Sequence, residues 1–272
     1  FGEWDFKHRT EISGFHPDNC RALGAASHDY LTRPVQLDMF QPYYPFDIKD
    51  KPTVLFAPTW HYGEVFQHWG EDRQIFKQII DKVTNQGANL ILRLHDSFRF
   101  DDSYVAFLRE LADEYPQVML KFKDKNPDNI ADLQVSDLLI TNYSSIANLF
   151  YATGKPTIHV YPVKSKDEAF MWRTHHLTGT REQEVDSVEY IWKLSPEENG
   201  GLIAHSVDEL LKQINMSINN PEICREQAQN FLDKYMLGAD GNNCKRIYAT
   251  LQELVYNIPK KELNPKFEYA NV

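Results

Sequence analysis

Leu138-Leu139-Ile140-Thr141-Asn142-Tyr143-Ser144-Ser145-Ile146-Ala147-Asn148-Leu149-Phe150-Tyr151 runs on into Gly154-Lys155-Pro156-Thr157-Ile158-His159-Val160. The opening apolar residues form a short continuous run, as expected of a strand buried on both faces. Small hydroxyl residues then introduce a helix predicted from about Ser145 to Tyr151, and Thr157–Val160 reads as a second strand. A strand, a helix and a further strand at this spacing make a βαβ unit, which closes right-handed onto a parallel sheet.

The same alternation extends in both directions. Val54-Leu55-Phe56-Ala57, stopped by Pro58, is a predicted strand. Ile75, Phe76, Ile79, Ile80 and Val83 fall on one helical face, and Gly87 supplies a left-handed stop. Leu90-Ile91-Leu92 is the next strand, followed by a helix with Val105, Leu108, Leu111 and Ala112 on one side. Val118-Met119-Leu120 reads as strand and Asn129–Val135 as a short helix. Beyond the opening stretch, Leu202-Ile203-Ala204 is a strand leading into Ser206-Val207-Asp208-Glu209, a capping box. Helices are predicted from Pro221 to about Tyr235 and from Asn242 to about Tyr256. The fold class is therefore α/β, a Rossmann-like parallel sheet flanked by helices. Residues 1–50, without clear periodicity and interrupted by Pro34, Pro42 and Pro45, read as the end of a preceding domain and a linker. Residues 51–258 form the domain, and 259–272 a charged, loose tail.

Bulk properties narrow the function. A hydrophobic fraction of 42% with 25% charged residues supports a real core. A net charge of −10 argues against general nucleic-acid binding, which needs a basic footprint. Cys20, Cys224 and Cys244 are odd in number and far apart, which favours reduced thiols and a cytoplasmic setting. No run approaches the roughly 20 apolar residues of a membrane span. The chain opens Phe1-Gly2-Glu3-Trp4-Asp5 without Met, so it reads as an interior segment with more chain upstream.

Parallel sheets bind ligands beyond the carboxyl ends of their strands, so the residues that follow each strand carry the functional reading. These are Pro58-Thr59-Trp60-His61, Arg93-Leu94-His95-Asp96, Lys121/Lys123/Lys125 and Thr141-Asn142-Tyr143-Ser144-Ser145. Ser144 and Ser145 either cap the following helix or present hydroxyls and free amides to phosphate oxygens. Arg93 and His95, two apart on a strand, point the same way. His95 beside a phosphate could donate a proton or a hydrogen bond, or could simply be tethered to its own loop. Lys121, Lys123 and Lys125 alternate at a strand end and read as solvated cations, with a phosphate contact as the alternative. His175-His176 and His61/His68 lack zinc-site spacing, so no metal is expected. Walker, Gly-x-Gly-x-x-Gly and Gly-x-Ser-x-Gly signatures are absent.

Taken together, Leu55-Phe56-Ala57-Pro58-Thr59-Trp60, Leu92-Arg93-Leu94-His95, Val135 to Ser145 and Gly154-Lys155-Pro156-Thr157-Ile158 resemble the CDP-glycerol glycerophosphotransferase family. Phe231, Tyr235, Asp240-Gly241, Arg246 and Leu251 resemble its last helices. The resemblance implies a GT-B architecture of two Rossmann-like domains, this chain being mainly the C-terminal, donor-binding one beside an N-terminal partner domain. It implies that Ser144 and Ser145 bind the donor pyrophosphate with Thr59 and Arg93 nearby. His95 would be catalytic, with His61, Asn142 and Tyr143 as further candidate donor contacts. The implied reaction transfers a polyol phosphate, glycerol or ribitol phosphate, from a CDP-linked donor to a hydroxyl of a teichoic acid or capsule polymer, releasing CMP. The donor is then the only small molecule required, with no cofactor, and the acceptor is polymer- or lipid-linked. The setting would be the cytoplasm, with peripheral contact at the inner face of the plasma membrane. Asn142 stands where the family usually has Asp, Asp96 where it has Pro, and His61 where it often has Arg. The family's N-terminal His-Gly-Thr-Pro motif is not among these residues. The alternative readings are a GT-B glycosyltransferase using a nucleotide sugar and a nucleotide-binding module without chemistry.

Overall fold

The computed structural model describes residues 1–59, 65–94, 102–122, 126–162, 170–176, 179–185 and 194–257. Eight strands are described: β1 (Thr53–Phe56), β2 (Asn89–Leu94), β3 (Val118–Phe122), β4 (Leu138–Thr141), β5 (Thr157–Val160), β6 (Phe170–His176), β7 (Gly179–Val185) and β8 (Leu202–Ala204). The α-helices are α1 (Glu3–Lys7), α2 (His28–Leu31), α3 (Leu37–Phe40), α4 (Asp72–Thr84), α5 (Asp102–Asp113), α6 (Ile130–Val135), α7 (Ile146–Phe150), α8 (Val207–Asn219), α9 (Arg225–Tyr235) and α10 (Asn243–Asn257).

Six strands form one sheet in the order β3-β2-β1-β4-β5-β8, and every pairing in it is parallel. Each strand therefore needs a crossover, and the amphipathic helices supply those crossovers. The strands alternate their side chains between two cores. Val54, Phe56, Leu90, Leu92, Leu138 and Ile140 pack with Ile75, Ile79 and Val83 of α4, Leu108 of α5 and Leu210 of α8. Leu55, Ala57, Ile91 and Leu139 face the other way, toward Leu133 of α6, Phe150 of α7 and Phe231 of α9. Burial on both faces explains why these strands read as unbroken apolar runs rather than alternating ones.

The predicted strands and helices of the sheet are all present, with ends shifted by a few residues. Gly87 has φ +74°, the left-handed stop expected of it. The capping box at α8 differs in one bond. Ser206 Oγ accepts from the Glu209 amide at 3.2 Å, but Glu209 Oε2 accepts from His205 N–H at 2.8 Å, one residue earlier than the standard pattern. Ser206→Ala is expected to cost about 1 kcal/mol of stability, measurable by urea unfolding. The helix expected from Pro221 begins at Arg225, after a turn over residues 221–224.

Two features lie beyond the sequence reading. β6 and β7 pair as an antiparallel hairpin, Phe170 opposite Val185 and His176 opposite Gly179, separate from the main sheet. The boundary expected near residue 50 is crossed by extensive packing. Ala25, Leu31, Tyr44, Phe46 and Ile48 are buried in the second core. Asp29 accepts from the Asn243 and Cys244 amides at the start of α10, at 2.9 and 2.7 Å. Segment 20–50 thus helps complete the core, through contacts too far apart in sequence to leave a local period. The tail predicted at 259–272 falls outside the described residues.

Candidate functional site

The strand order reverses between β1 and β4. The chain leaving β1 turns toward β2 through α4 on one face, whereas the chain leaving β4 turns toward β5 through α7 on the other. Two loops diverging in this way open a crevice at the carboxyl edge of the sheet. Here the loops stay laced together at their base. Ala57 N–H donates to Ile140 C=O at 2.9 Å, and Thr141 Oγ1 donates to Ala57 C=O at 2.7 Å. Asn142 adds a double bridge: Oδ1 accepts from Thr59 N–H and Nδ2 donates to Thr59 C=O, both at 2.9 Å.

Ser144 and Ser145 lie just beyond that bridge. Ser145 occupies the N-cap of α7 with φ −61° and ψ −11°, already helical, and its side chain makes no capping bond. The main-chain carbonyls of Ser144 and Ser145 accept from Ala147 and Asn148, each at 3.1 Å. An N-cap in extended conformation aims its hydroxyl at the next turn, and this one is not extended. The geometry therefore removes the capping reading and leaves both hydroxyls available. Thr59, Arg93, Ser144 and Ser145 line one cavity of about 320 Å³. Tyr143, half-buried, lines a second cleft of about 320 Å³ that shares the same serines.

Beneath the first cavity is a buried charge cluster. Arg93 Nη1 donates to Asp132 Oδ2 at 2.8 Å and its Nη2 to the Asn126 carbonyl at 2.6 Å. Lys121 Nζ reaches Asp132 Oδ1 at 2.6 Å, as does the Tyr44 hydroxyl, also at 2.6 Å. The Lys121 ammonium also lies 4.2 Å from the centroid of the Tyr44 ring. Burial and the neighbouring carboxylate push the Tyr44 phenol far up, so it remains a donor. Two buried cations share one buried carboxylate, so the buried groups carry a positive surplus, with the exposed Asp128 carboxylate nearby. Arg93, expected among the donor-phosphate residues, spends one N–H of each terminal nitrogen on these bonds and also lines the cavity.

Lys121 is not a solvated cation but 6% exposed within this cluster. Asp132 and Tyr44 were not singled out from the sequence. One signal for them exists: Arg93 and Lys121 face each other in register on adjacent strands, and two such cations require a counter-charge. His61 and His95, with Lys123 and Lys125, fall outside the described residues. Among the described residues no group of three or more His, Cys, Asp or Glu is placed to hold a metal ion. Nor is any helix among them long and apolar enough to cross a membrane.

His159, on β5, is 1% exposed beneath the serine turn. Its Nδ1 lies 2.8 Å from the Asn142 carbonyl and its Nε2 2.7 Å from the Tyr151 hydroxyl. Burial pulls its pKa down to about 4. In the unfolded chain a histidine binds its proton near pH 6.5, so the unfolded state holds more protons between those values. Stability from this group is full above about pH 6.5 and falls as pH drops toward 4. Urea unfolding is expected to show a loss of about 2 kcal/mol between pH 7 and pH 5. His159→Asn should flatten that slope.

Residues 34–168 match the family described as CDP-glycerol:poly(glycerophosphate) glycerophosphotransferase. The match covers just under half of the chain. The matched segment contains β1 to β5, and hence Thr59, Arg93, Asp132 and the Ser144-Ser145 turn. A teichoic acid poly(glycerol phosphate) polymerase of Bacillus spizizenii is 31% identical over 120 residues, covering 42% of this chain and 27% of the relative. A structure of the wall teichoic acid polymerase TagF superposes with a TM-score of 0.64 at 15% identity, over 94% of this chain and 57% of that one. A TagF variant soaked with CDPG also gives 0.64 at 15% identity, over 94% of this chain and 56% of that one. The chain thus spans about a quarter of the curated polymerase it matches and just over half of the TagF chains. The fold is the Rossmann-like, GT-B type seen in TagF.

Proposed function

We propose that this chain forms the donor-binding half of a polyol-phosphate transferase. It would hold a CDP-linked polyol, glycerol or ribitol, and pass the polyol phosphate to a hydroxyl of a growing teichoic-acid-type polymer. The observation that carries the proposal is the Ser144-Ser145 turn. Both hydroxyls are unspent, they face Thr59 across a switch-point cavity, and a buried positive surplus lies beneath. The family match and the CDPG-soaked relative support the identity of the donor.

In this reaction the acceptor hydroxyl oxygen attacks the β-phosphorus that carries the polyol and gives up its proton to solvent or to a base from the partner domain. The bond from that phosphorus to the bridging oxygen breaks, and CMP leaves with the electron pair. Charge spreads over the phosphoryl oxygens in such transition states, so catalysis is mostly positioning and electrostatic stabilisation. The serine hydroxyls and nearby main-chain amides would supply donors, and the Arg93/Lys121 surplus the field. His95, which follows Leu94 directly in sequence, is proposed to hand a proton or hydrogen bond to the donor phosphates. The acceptor and a partner domain would complete the site from the side of the cytoplasm, with peripheral membrane contact.

The test is binding and turnover by the full-length protein. CDP-glycerol or CDP-ribitol should raise its melting temperature and release CMP when a polyol-phosphate acceptor is added. Stabilisation by a UDP-sugar with no response to either CDP-linked polyol would contradict the assignment and favour a glycosyltransferase.

A further inference from the structure

The crevice has two walls, and neither is free to choose its own position. Asn142 sets the distance between them, because its side-chain amide joins the main chain of Thr59 through both ends. That amide has one orientation only: turned over, its NH₂ would meet the Thr59 N–H and its oxygen the Thr59 carbonyl. The main chain of Asn142 is in turn held from below by His159. A carbonyl accepts and never donates, so Nδ1 of His159 carries the proton that bonds Asn142 C=O. Nε2 is then the acceptor for the Tyr151 hydroxyl. Tyr151 is itself 1% exposed, and a Cβ on Gly200 would come within 3.0 Å of its ring, so the anchor has little room to move. The chain of bonds runs Tyr151, His159, Asn142, Thr59, from the core to both edges of the cavity.

We propose that His159 and Asn142 are positioning residues for donor binding: the imidazole seats the phosphate turn, and the asparagine amide fixes Thr59 against it. Both act through the turn rather than by contact with reacting atoms. The neutral imidazole suits this role, since it keeps one donor and one acceptor in fixed places. The inference rests on the reading of Ser144-Ser145 as the phosphate site. Groups that bind phosphate in fixed geometry lose affinity when the residues behind them loosen.

The experiment compares His159→Leu with His159→Asn in the full-length protein. Asparagine keeps a donor near the place of Nδ1; leucine does not. His159→Leu is expected to raise the donor KM about tenfold and to weaken inhibition by inorganic pyrophosphate by a similar factor. The acceptor KM should stay within about twofold, and His159→Asn should recover most of the loss. Leu210→Ala, in the core on the opposite face, serves as a control that lowers melting temperature without changing the donor KM. A His159→Leu protein that folds and keeps its donor KM, or one whose acceptor KM rises equally, overturns the inference. If the unmodified protein binds neither a CDP-linked polyol nor pyrophosphate, the phosphate reading itself falls and takes the inference with it.

Discussion

Asp132→Ala is expected to cost about 3–5 kcal/mol of folding stability, the largest effect of any single change in the site region. The reason is arithmetic of charge. Asp132 is 1% exposed and is the shared partner of Arg93, Lys121 and the Tyr44 hydroxyl. Alanine would leave two cations facing each other on adjacent strands with no counter-charge, and a buried phenol without its acceptor. The attraction gained in the folded protein is offset largely by desolvation, but removing only the anion forfeits the gain and keeps the cost. Asp132→Asn should lie between wild type and alanine, since an amide oxygen still accepts but carries no charge. Urea unfolding with an unchanged slope would measure both. A loss under about 1 kcal/mol for alanine would show that the cluster is solvated and the positive surplus small.

Why the sheet was legible and the cluster was not follows from distance along the chain. Val54-Leu55-Phe56 and Leu138-Leu139-Ile140 announce themselves because each residue is buried whichever face it points to. Periodicity is a local property, and these strands and their crossover helices are local objects. Tyr44 and Asp132 meet across 88 residues, and Asp29 and Asn243 across 214. No period spans such gaps, which is why segment 20–50 looked like a linker. The β6–β7 hairpin was missed because nothing in its composition gave it an apolar run or a marked turn.

The site divided along the same line. The loops after β1 and β4 could be placed at one edge from strand order alone, and Thr59, Ser144 and Ser145 do share a cavity. What each side chain does there depended on conformation. Whether Ser145 capped a helix turned on one pair of backbone angles. That Arg93 shares its guanidinium with Asp132 and Asn126 could not be read from its own segment. Asn142, marked in sequence as a departure from the family's aspartate, spends its amide on Thr59. An aspartate could accept from the Thr59 amide but could not donate to its carbonyl.

Ser144→Ala with Ser145→Ala carries the second large effect, and it separates two accounts of the same turn. A capping serine replaced by alanine costs about 0.5–2 kcal/mol of stability. Hydroxyls without a protein partner cost almost nothing to remove, within about 0.5 kcal/mol. Against a charged phosphate, each hydroxyl hydrogen bond contributes about 1.5–3 kcal/mol, or roughly tenfold or more in affinity. The double variant should therefore melt close to wild type while losing about a hundredfold in donor affinity.

The decisive measurement is a calorimetric titration of CDP-glycerol into the full-length protein and its Ser144→Ala/Ser145→Ala variant, with melting temperatures recorded alongside. The account predicts a donor Kd weakened by about a hundredfold at an unchanged melting temperature. A variant that binds donor like wild type but melts lower would contradict it, returning the serines to the role of a helix cap.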